Sequence, residues 1–405
     1  MSAEPLTAAR RWSLLCIALA ATTSANVFIN GVAFLIPTLH SERGLDLAAA
    51  GLLSAMPGFG LVTTLIAWGY VVDRYGERIV LTVGSVLISA AAFAAAFAES
   101  LVGVGAFLFL GGMAAASSNS ASGRLVVGWF PVERRGLAMG IRQTATPLGV
   151  GLGALVIPRL AEGHGVTGAL LFPAAVCAVS ALVCLVAVID PPRPPRSEAP
   201  IEHLTNPYRG SSVLWRIHAV SVLLVVPQAV VWTFTLVWLM SERGWSAGSA
   251  GLLVMVAQLL GAGGRIAAGH WSDRLGQRLR PIRAIAAAAA LSMAALALSD
   301  WLNSPVAVAA MVVASVITVS DNGLAFTAIA EIAGPFWSGR ALGTQNTAQH
   351  LASAVAAPTF GALIGVAGYP AAFAVCALFP LAATPLVPPD PSVRRKPQGG
   401  CDSAT

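Results

Sequence analysis

The sequence predicts an all-α integral membrane protein of twelve transmembrane helices, arranged as two six-helix halves related by a pseudo-two-fold axis. Three observations carry that expectation. Of the 405 residues, 56% are hydrophobic and only 10% charged, against about a quarter charged in an ordinary soluble chain. Apolar runs of about 18 or more residues, each long enough to cross roughly 30 Å of hydrocarbon, recur almost without interruption. They extend from Trp12 to Val387. The chain also repeats itself. Residues 41–78 laid over 241–278 without a gap give 15 identities in 38 positions, where chance in so apolar a composition gives about a tenth.

The first span runs from about Trp12 to Pro37. It is too long for a signal-peptide core and contains Asn26 and Asn30, so it is read as a retained membrane helix. A short SERG turn at Ser41, placed outside the cell, leads into the second span, about Leu47 to Val72. That span ends in the loop GYVVDRYGER, Gly69 to Arg78, which returns as GHWSDRLGQR, Gly269 to Arg278. The third span covers about Ile79 to Ala98, and the fourth about Val102 to Trp129, ending at FPVERRG. The fifth, about Leu137 to Leu160, carries Gly140, Gly149, Gly151 and Gly153, and the sixth covers about Gly168 to Ile189. Residues 190–212 are rich in proline and charge, so they cannot stay helical in hydrocarbon. They read as a cytoplasmic linker between an N-terminal half, 1–189, and a C-terminal half, 213–388. Six further spans follow at about 213–240, 248–270, 281–299, 305–330, 341–366 and 369–387, and 389–405 read as a disordered tail.

The repeat continues past the loop. GLAMGIRQT, Gly136 to Thr144, lies over GRALGTQNT, Gly339 to Thr347, and Asn119 falls over Asn322. Both loop copies must lie on one face of the membrane, so an even number of crossings separates them, and six per half satisfies that.

A net charge of +6 could indicate a nucleic-acid partner, but the cations are distributed by topology. Arg43, Arg159 and Arg243 fall near one side, Arg124, Arg142 and Arg265 inside spans, and the others in tails and loops on the opposite side. That asymmetry places both termini in the cytoplasm of a cell or inner-membrane protein. Four of five cysteines lie in apolar runs, which implies no disulfide or metal framework. No metal-ligand cluster, nucleotide-binding loop or nucleophile with its base is visible, so neither an enzyme nor a cofactor is expected. The expected partners are a small solute, protons and the bilayer, with the chain a monomer.

A loop of a few residues between two helices needs glycine where backbones turn or approach closely, and its carboxylate can accept from helix N-terminal amides or from arginine. Gly69, Asp73, Arg74, Gly76 and Arg78, with Gly269, Asp273, Arg274, Gly276 and Arg278, therefore suit a latch that makes and breaks. In these residues the chain resembles the major facilitator superfamily, whose loop signature runs approximately G-x-x-x-D-R-x-G-R-R. The resemblance extends to the twelve spans, the central linker and the F-P-x-E-R-R-G run at Phe130. It implies alternating access by rocking of the halves about a central site, with Asp73, Arg74, Asp273 and Arg274 helping to lock the cytoplasmic side. Proton-coupled drug antiporters of that superfamily carry an arginine where this chain has Phe107, and a Gly-Pro pair where it has Thr146 and Pro147. Both departures weigh against drug efflux, which stands as the alternative reading.

An ionisable group within hydrocarbon is costly unless paired or wetted. Arg265, eight residues before Asp273, either snorkels to the cytoplasmic surface or holds an anion. Arginine at this level resembles the substrate-binding arginine of carboxylate and inorganic-anion carriers, while Leu65 at the matching place lacks the second arginine of nitrate carriers. Asp321 lies about ten residues from the loop, too deep to reach either surface, and must be protonated, paired or facing water. Its alternatives are a structural hydrogen bond to a neighbouring helix, and a role in proton coupling or substrate binding. Arg124, Arg142 and His350 are further candidates, as are the neutral Asn26, Asn30, Gln143, Asn322 and Gln349, which either line a cavity or bind helices together. The excess of arginine over carboxylate inside the spans favours an organic anion such as a carboxylate, carried with protons by secondary transport.

Overall fold

The computed structural model describes residues 6–35, 47–192 and 197–389. The SERG turn at Ser41, residues 193–196 of the linker and the tail from 390 lie outside the described residues. In chain order the helices are α1 (Ala8–Gly31), α2 (Leu47–Tyr75), α3 (Glu77–Phe97), α4 (Leu101–Trp129), α5 (Arg135–Arg142), α6 (Ala145–Ala187), α7 (Ile201–Leu204), α8 (Val213–Ser241), α9 (Ala247–Leu275), α10 (Leu279–Trp301), α11 (Val306–Ile317), α12 (Asn322–Ala333) and α13 (Ser338–Leu386). No strand occurs among the described residues.

Among the described residues, ten helical stretches are long and apolar enough to cross a membrane. Two of them are double. Inside α6, Gly165 has φ 63°, and inside α13, Gly368 has φ 78°. Both lie in the left-handed region that glycine enters without a Cβ penalty, so each long helix turns back as two spans and the total is twelve. The tenth span is the reverse case. The sequence reads as one run over 305–330, whereas the structure breaks it into α11 and α12, with Asp321 at the break.

The halves keep separate apolar cores on the side far from the linker. Phe28, Leu61, Leu108 and Ile157 pack in one, and Trp238, Met293, Phe360 and Phe373 in the other. On the linker side they share one core, where Phe130, Ala138 and Met139 meet Ala268, Leu324 and Leu342. The molecule is therefore sealed at the linker side. Large apolar side chains such as Leu110, Val186, Leu291 and Val366 stand exposed, as helices facing lipid require.

Candidate functional site

Two features lie between the halves: a cavity, and beneath it the seal. At the seal, α5 and α13 each begin without a capping side chain of their own, which leaves first-turn amides to be satisfied elsewhere. The opposite half supplies the acceptor in both cases. The N–H groups of Gly339 and Arg340, in the first turn of α13, donate to the Asp73 carboxylate at 2.8 and 3.1 Å, and Arg340 Nε adds a third bond at 3.0 Å. Gly136 and Leu137, in the first turn of α5, donate to Asp273 at 2.9 and 2.8 Å. Each aspartate is thus an N-cap in trans, favoured also by the helix dipole.

Each also sits in a triad of ions. Arg124 meets Asp73 at 2.8 Å and Glu77 at 3.0 Å, while Arg278 meets Asp273 at 2.6 Å and Glu331 at 3.3 Å. Arg124 also reaches across to the Pro335 carbonyl at 2.9 Å, Arg278 donates across to the Val132 carbonyl, and Arg135 pairs across with Glu331 at 3.3 Å. Burial works against the Arg278 charge, but Glu331 and Asp273 outweigh it and hold the guanidinium above the usual arginine range.

Glycine permits the approach. A methyl on Gly69 would strike the Gly339 backbone, and one on Gly269 that of Gly136. One turn deeper, Gly140 lies against the backbone of Arg265 and Gly343 against that of Leu65. Gly76 and Gly276 have φ 97° and 60°, turning the chain after α2 and α9. Arg78 serves its own half and the start of the linker, with its N–H on Asp190 at 2.7 Å and its Nε on the Leu185 carbonyl at 2.8 Å.

Arg74 and Arg274 differ from what the resemblance implies. Both stand exposed at helix ends, and Arg74 bonds Tyr70 within its own helix at 3.4 Å. The guanidiniums that pair at the seal include those of Arg124, Arg135, Arg278 and Arg340. Arg124, read from the sequence as a candidate for solute or proton, lies in this seal and does not border the cavity.

The cavity above has a volume of about 320 Å³ and is bordered by both halves. Asn26 and Asn30 of α1, Arg142 and Gln143 at the end of α5, Arg265 of α9, Asn322 of α12, and Gln349 and His350 of α13 all border it. The neutral amides hold one another. Asn322 donates to Gln228 at 3.0 Å, Gln349 to Asn322 at 3.3 Å, and Asn30 to the Asn26 carbonyl at 3.1 Å.

The two arginines differ in state. Arg142 is satisfied within its own half: Nε donates to Ser122 at 2.9 Å, Nη2 to the Asn119 carbonyl at 3.1 Å, and Nη1 to Gln143. Arg265 is 3% exposed, and its Nε and Nη1 have no hydrogen-bond partner. Asp321, 2% exposed, lies off the cavity wall, and its Oδ2 is also without a partner. Sequence reasoning did not single out Gln228 or Trp232 of α8, which also border the cavity. Gln228 had a signal: a polar residue directly after Pro227 in an otherwise apolar run.

The family model described as Major Facilitator Superfamily matches residues 14–357. An uncharacterized MFS-type transporter of Mycobacterium tuberculosis is 56% identical over 399 residues, covering 98% of this chain and 88% of the relative. A hexuronate transporter of Bacillus subtilis is 24% identical over 246 residues, 58% of each chain. Among solved structures, the proton:xylose symporter XylE superposes with a TM-score of 0.76 at 16% identity, over 94% of this chain and 95% of that one.

Proposed function

The chain belongs to the major facilitator superfamily, and on that premise we propose that it carries a small organic anion bearing a carboxylate, with protons, by alternating access. The observation that carries this reading is Arg265, a buried guanidinium on the wall of the central cavity with two nitrogens unpartnered. A charge so placed is costly without an anion or water to meet it, and its planar fork suits a carboxylate in two-point contact. The amides around it offer donors and acceptors to a polar solute, and the volume suits one of modest size. A relative named for hexuronate, an anionic sugar acid, agrees in kind.

The seal is the proposed gate. Breaking both trans caps and both sets of cross-half ion contacts separates the halves at the linker side while their far-side cores stay intact. By the positive-inside asymmetry the linker side faces the cytoplasm, so the arrangement described here is closed to the cytoplasm.

A thermal-shift screen of the purified protein against carboxylates, sugars, amino acids and cationic drugs tests the substrate class, because a bound solute stabilises by mass action. A carboxylate that stabilises the wild type and leaves Arg265→Ala unchanged supports the reading. Stabilisation by cationic amphiphiles alone would sink it and put drug efflux in its place.

A further inference from the structure

A trough lies on the lipid-facing side of the C-terminal half, away from the cavity between the halves. Its sides are α10 and the part of α13 that follows the turn at Gly368. On the inner side of this seam Met293 and Leu296 pack with Phe373 and Cys376 in the far-side core. On the outer side the facing residues are small, among them Ala290, Ala294, Ala371 and Ala374, and Leu291, Leu298, Leu378 and Leu381 stand exposed beside them. The space left is about 950 Å³, bordered, Thr384 and Trp301 apart, by alanine, leucine and proline side chains. A hollow of this kind within a bilayer is in contact with hydrocarbon and has no polar group to offer water.

The two ends of the trough differ in chemistry. Ala287, Ala294 and Trp301 recur at heptad spacing along α10, so they share a face. Arg283, one turn before Ala287, continues that face toward the linker side. It is exposed, and its Nη2 donates to the Val387 carbonyl at the end of α13 at 2.8 Å. Arg216 of α8 reaches the preceding carbonyl, that of Leu386, through Nε at 3.0 Å. At the other end Trp301 is exposed, as indoles at a membrane interface are. From Arg283 to Trp301 the helix rises about 27 Å, close to the roughly 30 Å of hydrocarbon. The trough thus runs the depth of the membrane, cationic at the linker side and aromatic at the far side.

We propose that the trough is a binding site for an anionic phospholipid of the linker-side leaflet, with its phosphate against Arg283 and Arg216 and an acyl chain laid along the alanines. This is independent of which solute the protein carries. Contact with helix-end carbonyls is favourable to an arginine on its own, so the two guanidiniums alone do not argue for a lipid. The trough opening beside them does, since Ala287 and Thr384 at its linker-side end are each within about a turn of the carbonyl contacts. Charge selects the headgroup, because basic pockets between membrane helices on the cytoplasmic side hold anionic lipids. Shape selects the tail. Two helices packed about 8–10 Å apart leave between them a furrow narrower than a third helix of about 10–12 Å. A second copy of the chain would ride on the leucines and leave the alanine floor unfilled, whereas a single hydrocarbon chain reaches it.

The test is photolabelling of the full-length protein in phosphatidylcholine nanodiscs doped with dioleoyl phosphatidylglycerol or dioleoyl phosphatidylcholine, each carrying a diazirine on one acyl chain. Labelled peptides are mapped by mass spectrometry. The phosphatidylglycerol probe is expected to label α10 and the end of α13 in preference to the phosphatidylcholine probe. That preference should fall about fivefold in Arg283→Gln and further in the Arg216→Gln, Arg283→Gln pair, as the loss of one surface cation at a time predicts. Ala287→Phe keeps both arginines and fills the trough beside them, so labelling there should drop. Equal labelling by the two probes, or labelling undiminished in both the paired variant and Ala287→Phe, overturns the proposal. Loss of the label on adding inorganic phosphate would make this a site for a free anion and also overturn it. Label absent from α10, with a two-chain species in the native mass spectrum of the detergent-purified protein, would give the trough to a second copy instead. Should the variants fail to fold, the wild type decides: unlabelled phosphatidylglycerol must displace the probe from these peptides, and failure to displace it sinks the assignment.

Discussion

The Cα of Gly140 in one half lies against the carbonyl of Arg265 in the other, so closely that a single methyl on Gly140 would strike it. The residue read as anchoring the solute is therefore also part of the wall that closes the seal. Gly140→Ala is expected to force α5 and α9 apart, since overpacking of this kind costs about 1–3 kcal/mol. Spin labels at positions 74 and 274, both exposed on the linker side, report it: the label-to-label distance should lengthen. An unchanged distance distribution would show that the glycine contact does not hold the gate.

The two trans caps are unequal. Asp73 receives two backbone amides and the Arg340 guanidinium from the other half, whereas Asp273 receives two backbone amides only. Charge-assisted bonds are roughly twice as strong as neutral ones. Asp73→Asn should therefore change the transport rate more than Asp273→Asn, with solute Kd in both variants within about threefold of wild type, as expected of a gate remote from the cavity. Loss of binding in a folded Asp73→Asn protein would contradict the gating reading.

Lysine at position 265 keeps the charge and loses the fork. Arg265→Lys is expected to weaken anion binding by about 1–2 kcal/mol, roughly 5- to 30-fold, and Arg265→Ala by more, given about 1.5–3 kcal/mol for hydrogen bonds to charged groups. Unchanged half-saturation in Arg265→Ala would remove this residue from recognition.

On the far side, Asp300 accepts from Trp238 Nε1 at 3.1 Å and pairs with Arg243, whose guanidinium lies 5.0 Å from the Trp238 ring centre. Asp300 and Trp238 are both buried. Asp300→Ala takes the carboxylate from the largely buried Arg243, which keeps its bond to the Ser304 carbonyl, and from a buried indole N–H, a loss of up to about 3–5 kcal/mol for a broken buried pair. The melting midpoint should fall by several degrees while solute Kd stays constant. A midpoint equal to wild type would mean that water replaces the carboxylate.

The fold was legible because two signals are independent of side-chain orientation: the length of each apolar run, and the gap-free repeat from Ser41 to Arg78 over Ser241 to Arg278. Even the turns at Gly165 and Gly368 fall in the short gaps left between the fifth and sixth and the eleventh and twelfth spans. Candidate polar residues were legible for the same reason, since any ionisable group stands out in so apolar a chain. Which way each one faces was not. Arg124 and Arg142 are both read from the sequence as lying inside spans, yet one is in the seal and the other borders the cavity, a difference of facing that composition does not record. Arg74 and Arg274 carry the motif and stand exposed, whereas Arg340, outside it, completes the seal.

The ion triads at the seal are built with their signs transposed. In one half the glutamate, Glu77, opens the third span and the arginine, Arg124, comes from the fourth; in the other the arginine, Arg278, stands before the ninth span and the glutamate, Glu331, comes from the tenth. Gene duplication accounts for two aspartates in register but not for this inversion, so the halves have ceased to be interchangeable parts. A chimera of two N-terminal halves would set Asp73 against a second Leu137 where Arg340 now stands, and would pair no carboxylate with Arg135. The ancestral symmetry survives in the backbone, and the chemistry of the seam has become that of a heterodimer tied together by one linker.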